Sequence, residues 1–325
     1  MRRRQFITLL GGAAAWPLAA RAQQSGMPVV GFLDGAETTS GNVLAAVRKG
    51  LNETGYVEGR NVAIEFSAAE GRYDLLPSLA AELVRHKVAA IFIAGSTPAA
   101  LAAKAATTTI PVVFTSGADP VALGLIKSLS RPGGNVTGVL FLSDTLLLKR
   151  LELLREFVPQ TTTIAFLRNP SNPSTEQNTK NMLAAARSIG QQIRVLDAST
   201  ADEIDSAFAE IVKQKIGALI VSQDVFFFSR RNQLVALATR YVVPAVYFTR
   251  EIVEGGGLMS YGDDRRESFR QAGIYLGRVL KGEKPADLPV LQPTKFELAI
   301  NVQAAKVIGL TIPESFLLRA DRVIE

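Results

Sequence analysis

The sequence has no cysteine and a single histidine, and those two absences remove whole classes of chemistry before any motif is sought. Without thiols there is no disulfide framework, no cysteine nucleophile and no cysteine-based zinc site. The one histidine, His86, lies in Arg85-His86-Lys87 at the end of an expected helix, the place of a solvent-exposed C-terminal side chain. A Ser-His-Asp site therefore lacks its base. The glycine patterns that cradle nucleotides are missing too. After the first expected strand the chain reads Gly31-Phe32-Leu33-Asp34-Gly35-Ala36 in place of G-x-G-x-x-G, and G-x-x-x-x-G-K-[ST] occurs nowhere. No cofactor, no metal and no catalysis are expected. Glycine, proline and serine are not pooled in tracts, and with 47% hydrophobic against 20% charged residues the chain reads as globular.

What is present begins with an N-terminus unlike the rest. Met1-Arg2-Arg3-Arg4-Gln5 is basic, an apolar run of about 15 residues follows, and Ala20-Arg21-Ala22 closes it as an A-x-A site, the layout of a signal peptide over residues 1–22 cleaved after Ala22. Arg3-Arg4-Gln5-Phe6-Ile7 matches the core of a twin-arginine signal; a Sec signal with a basic start is the other reading. Gly11, Gly12 and Pro17 leave the run too short and too broken for a spanning helix. Removing it lowers Lys+Arg from 36 to 32 against 30 acids and the net charge from +6 to +2. The remaining cations are interspersed with acids, so no basic face for nucleic acid is retained.

At 325 residues the chain exceeds one comfortable core and suits two lobes. From Pro28 short apolar runs alternate with helical stretches. PVVGFLD, NVAIEFSA, AAIFIAG, PVVFTSG and NVTGVLFL are expected strands, with helices at 43–54, 75–86, from Pro98 and, briefly, from Pro120. Apolar residues in succession suit parallel strands buried on both faces. A second series follows the helix at 146–157, with TTIAFLRNP, QQIRVLDAS, GALIVSQD and PAVYFTR as strands. The fold class is α/β: two doubly wound parallel-sheet lobes joined by a three-segment hinge near 140–144, 255–262 and 288–298. One lobe takes residues 27–141 plus 262–288, the other 142–258 plus 295–325.

Open parallel sheets bind ligands outside the carboxyl ends of their strands, where loops and helix N-termini present N–H groups. That rule selects Ser96 and Thr97 after the third strand, and Gly117 and Asp119 after the fourth. In the second lobe it selects Asn169, Asn172 and Asp224, with Tyr247 and Tyr261 as a stacking wall. Each also has an ordinary structural role: Ser96 and Asp119 as helix caps, Asn169 and Asn172 in an Asn-Pro turn, the tyrosines as core.

Longer strings carry a resemblance. Asp119-Pro120-Val121 leads to Gly124-Leu125-Ile126 and then to Leu129-Ser130-Arg131-Pro132-Gly133-Gly134-Asn135-Val136-Thr137-Gly138, and the chain ends LPVLQPTKFELAINVQAAKVIGLTIPESFLLRADRVIE. Across essentially all of residues 27–325 the chain resembles ABC-transporter substrate-binding proteins of the type I periplasmic-binding fold, in the group with tryptophan- and tyrosine-binding members. The resemblance implies a monomeric Venus-flytrap receptor in the periplasm that closes on a small polar solute, such as an amino acid, and delivers it to an ABC permease in the inner membrane. A ligand-sensing module for a signalling partner is the alternative. It also implies hydroxyls and N–H groups of Ser96 and Thr97 for a ligand carboxylate, and Asp119 or Asp224 for an ammonium.

Overall fold

The computed structural model describes residues 26–36, 41–141 and 146–325. The expected signal segment and residues 142–144 of the first expected hinge segment lie outside the described residues. The first half of the chain runs β1 (Val29–Asp34), α1 (Gly41–Glu53), β2 (Ala63–Ala68), α2 (Leu76–Arg85), β3 (Ala90–Ile93), α3 (Thr97–Ala106), β4 (Val112–Ser116) and β5 (Val136–Leu140). These strands form one all-parallel sheet in the order β2-β1-β3-β4-β5.

The remainder runs α4 (Leu147–Phe157), β6 (Thr163–Arg168), α5 (Thr175–Ser188), β7 (Gln192–Asp197), α6 (Ala201–Lys213), β8 (Ala218–Val221), α7 (Val225–Ser229), α8 (Arg231–Arg240) and β9 (Ala245–Tyr247). It continues with α9 (Arg250–Glu254), β10 (Met259–Asp263), α10 (Arg265–Leu280), β11 (Phe296–Asn301), α11 (Val302–Val307), α12 (Glu314–Arg319) and β12 (Arg322–Ile324). A second sheet results, ordered β12-β11-β10-β9-β8-β6-β7. It is parallel apart from β11, which enters antiparallel to β10.

Period-two side-chain direction explains both layers. On the first sheet Ile91, Ile93, Val112 and Phe114 face α2 and α3, while Phe32, Phe92 and Val113 face the opposite way against α1 and α10. The second sheet is sandwiched similarly: Leu219 and Val221 pack under α6 and α8, and Ile220 and Phe166 under α4. Helix starts follow local chemistry. Ser96, in extended backbone, accepts from Ala99 N at 3.3 Å to cap α3, and Thr200 with Glu203 forms a capping box on α6.

Three elements differ from the sequence expectation. No helix follows Pro120; Asp119 Oδ1 accepts from Val121 N and Ala122 N, and a run of turns follows, with Gly124 at φ +67°. The return crossing, expected at 255–262, falls between Asp263 and Arg265, because β10 stays in the second sheet through Asp263. Residues 289–291 still belong to the first sheet: Leu291 N donates to Gly138 O and Leu140 N to Leu291 O, so the last crossing is confined to 292–295. Helix α10 lies on the first sheet, burying Phe269, Ala272, Leu276 and Val279 beside α1.

Candidate functional site

The carboxyl ends of β1, β3 and β4 face those of β6, β8 and β9, and the two sheets meet across this line. Nothing bulky fits at the meeting point. A Cβ on Gly35 would fall 3.2 Å from Val225, and one on Gly117 would press 2.5 Å from the amide of Gln223. The space left between Gly95-Ser96-Thr97, Gly117, Asn172 and Gln223-Asp224 is about 10 Å3, less than a solute of any size requires.

A hydrogen bond ties the halves at this point. Tyr73, in the loop after β2, donates its hydroxyl to Asp224 Oδ1 at 2.6 Å. Asp224 caps α7 by accepting from Phe226 N at 2.7 Å, and also accepts from Asn169 Nδ2 at 3.2 Å and Asn172 Nδ2 at 2.7 Å. The amides are themselves oriented, since Asn169 Oδ1 accepts from Ser171 N and Asn172 Oδ1 from Ser174 N and Oγ. Burial raises the Asp224 pKa and the four hydrogen bonds oppose the rise. Burial and the neighbouring Asp224 carboxyl push the Tyr73 phenol well above its ordinary value, so it remains a donor.

Larger spaces flank the contact. One of about 770 Å3 lies between Asp119, Pro120, Leu140 and the Pro173–Asn181 stretch. The other, about 460 Å3, is lined by Asp34, Asn42, Val225, Phe228, Arg231, Glu251, Glu254, Arg265, Arg266 and Phe269. Arg265 projects from the start of α10 and is only 8% exposed. Its guanidinium carbon stands 4.6 Å from the ring centre of Phe141, 5.3 Å from Phe228, 5.6 Å from Phe269 and 5.9 Å from Phe248. Gly95, at φ +71°, makes room beside it: a Cβ there would lie 3.1 Å from Arg265 Nη2. Burial lowers the Arg265 pKa against the fields of Glu251, Asp263 and Asp34.

The sequence-selected residues divide accordingly. Ser96, Thr97, Gly117, Asn169, Asn172 and Asp224 do converge, at the tight contact between the sheets. Asp119 is exposed beside the 770 Å3 space and its Oδ1 is used in a turn. The tyrosines are not brought to the interface. Tyr247 is fully buried, because β9 is core on both faces and turns this side chain onto the cluster of Leu234, Ala238 and Ile252 from α8 and α9. Tyr261 packs on the opposite core beside Phe296, while its carbonyl accepts from Arg150 Nε at 2.7 Å. Sequence reading missed Tyr73, Arg265 and the Phe228 and Phe269 walls. The available signal was the charged run Asp263-Asp264-Arg265-Arg266, placed where the chain changes sheets.

Asp263 sets a pH dependence of stability. It is buried, its Oδ2 accepts from Ser268 Oγ at 3.3 Å, and desolvation pushes its pKa up to about 6 despite Arg265 and Arg150. A carboxyl whose folded pKa is raised stabilises the fold most below its unfolded value, and that contribution is lost as pH rises through the folded one. Stability should fall by roughly 3 kcal/mol in all from this group, about 2 kcal/mol of it between pH 4 and pH 6. Urea unfolding across that range should show the slope in the natural protein and lose it in Asp263→Asn.

Comparison with known proteins places this arrangement. The model of the family described as "ABC transporter substrate binding protein" matches residues 37–324. A tyrosine-binding protein of Clostridioides difficile (strain R20291) is 31% identical over 263 residues, 81% of this chain and 75% of that protein. The ABC domain from Streptococcus pneumonia in complex with L-Trp superposes with a TM-score of 0.83 at 29% identity, covering 92% of this chain and all of that one. A ligand-free, open substrate-binding protein from Clostridium difficile reaches 0.63 at 27% identity, with 91% and 99% covered. With a wound two-sheet fold, an interface built at strand carboxyl ends, and a family match over nearly its whole length, this chain belongs to the ABC transporter substrate-binding protein family.

Proposed function

We propose that the chain is an exported, monomeric receptor that closes two lobes on a small amino acid with an aromatic or apolar side chain and delivers it to an ABC permease. The lobes are residues 27–141 with α10 and the segment to 291, and residues 146–263 with 296–325. The observation that carries the reading is the Tyr73–Asp224 hydrogen bond across the interface, with polar and aromatic chambers on either side. A receptor of this kind traps its solute by making contacts available only when closed.

Two comparisons support it. Identity and coverage are nearly equal for the L-Trp complex and the ligand-free open structure, yet the TM-scores are 0.83 and 0.63. Equal sequence likeness with unequal superposition is what a different lobe angle produces, and this chain lies nearer the liganded form. The relative with 31% identity is a tyrosine-binding protein, which favours an aromatic amino acid as solute. Export to the periplasm rests on residues 1–22 and delivery on the family.

The test is native mass spectrometry of freshly purified protein followed by calorimetry with the proteinogenic amino acids. A co-purified amino acid released on denaturation, and 1:1 binding of L-tyrosine or L-tryptophan to the stripped protein, are the expected results. Failure of every amino acid to bind stripped, folded protein overturns the reading.

A further inference from the structure

We infer that Arg265 is the anchor for a carboxylate in the 460 Å3 chamber, so that the solute sits on the α10 side of the interface and not among Ser96, Thr97 and Asp224. The inference rests on the amino-acid reading above and assigns it a place. Three observations carry it. The first is an arginine more than nine-tenths buried, whose Nε has no hydrogen-bond partner among the described residues. No carboxylate of the described residues comes within ion-pair distance of it; Asp34, Glu251 and Asp263 act on it only through their fields. Burying a cation without a partner costs several kcal/mol. The four phenylalanine rings offset part of this, each cation–π contact contributing on the order of 1 kcal/mol. A planar fork of donors left in a cavity is suited to a bidentate carboxylate.

The second observation is the charge balance of the chamber. Among the described residues the lining carries acids (Asp34, Glu251 and Glu254) as well as arginines (Arg231, Arg265 and Arg266), so it suits a zwitterion better than a net anion. Phe228 and Phe269 add flat apolar wall, and the volume is within the usual range for a small-molecule site. The third is exclusion. The contact among Ser96, Gly117 and Gln223 leaves about 10 Å3, and Asp224 already accepts from four donors of the protein.

The experiment compares the natural protein with Arg265→Met, using L-tryptophan, L-tyrosine and phenylacetate as probes in calorimetry and thermal unfolding. Methionine keeps the length and removes the buried charge, so the ligand-free variant should melt at the same temperature or higher. A purely structural arginine predicts a lower one. Any probe that binds the natural protein should bind Arg265→Met at least 30-fold more weakly, and tryptamine, which lacks the carboxylate, should bind the two proteins within 3-fold of each other. Amino acids that bind both proteins alike overturn the anchor and leave the amino-acid reading standing. Phenylacetate binding that depends on Arg265 while every proteinogenic amino acid fails upholds the anchor and overturns the amino-acid reading. Binding of neither phenylacetate nor any proteinogenic amino acid to the natural protein overturns both.

Discussion

Replacing Tyr73 with phenylalanine should weaken solute binding by about 10- to 100-fold while leaving the melting temperature of the ligand-free protein nearly unchanged. Tyr73 belongs to the first lobe and Asp224 to the second, and their 2.6 Å hydrogen bond is made only when the lobes meet. A hydrogen bond to a charged group contributes about 1.5–3 kcal/mol. In a receptor that is open without solute, destabilising the closed form by that amount raises the apparent Kd by the same factor. The Phe side chain retains the ring and its packing, so neither lobe loses core. Calorimetry with the co-purified solute measures the affinity, and the dissociation rate should carry most of the change.

The partner sharpens this expectation. Asp224 holds Asn169 and Asn172 in place as well as Tyr73, so Asp224→Asn disturbs more than one contact. If the interlobe bond is the shared element, the double variant Tyr73→Phe, Asp224→Asn should bind no more weakly than the worse single variant by more than about 0.5 kcal/mol. Full additivity, or a Tyr73→Phe affinity equal to that of the natural protein, would remove the bond from the closing step.

The sequence carried the layers well and the site unevenly, for identifiable reasons. Ala90–Ile93 and Ala218–Val221 are fully buried strands, and an unbroken apolar run announces such a strand without any tertiary information. The strand-end rule likewise led to Ser96, Gly117, Asn172 and Asp224, which the structure brings together at the tight contact between the sheets, since those positions depend only on where strands stop. It did not foresee that Asp224 would be consumed by protein donors, because Tyr73 is 151 residues away and no local pattern links them. Tyr247 was misplaced because it lies within β9 and not in the loop beyond it, and both faces of that strand are core, with Ala245 and Tyr247 packed on one side and Val246 on the other. Arg265 reads in sequence as an ordinary helix-start charge. Only the packing of Phe141, Phe228, Phe248 and Phe269, drawn from four separate segments, turns it into a buried cation.

The largest loss of stability should follow Gly273→Leu, with Gly273→Ala close behind. Helix α10 packs on the first sheet side by side with α1, and the two touch through small residues four apart: Gly273 and Gly277 of α10 against Gly50 of α1 and Thr54 just past its end. A Cβ on Gly273 would lie 3.0 Å from the carbonyl carbon of Val47 and 3.1 Å from Gly50 Cα, and nearer still to the Val47 carbonyl oxygen. These are backbone atoms within helices, so no rotamer change relieves the clash. The helices must separate, pulling Phe269, Ala272 and Leu276 out of the packing with Phe32, Phe92 and Val113. Overpacking of this kind costs about 3 kcal/mol, and more for leucine. For a lobe of this size that is a fall on the order of 6–12 °C in Tm. Gly134→Ala is the control, since nothing lies within 4 Å of a Cβ there and the position is exposed; it should melt with the natural protein. A Gly273→Ala variant that melts within 2 °C of that control would mean that the close approach of α1 and α10 is not what holds α10 on the first lobe.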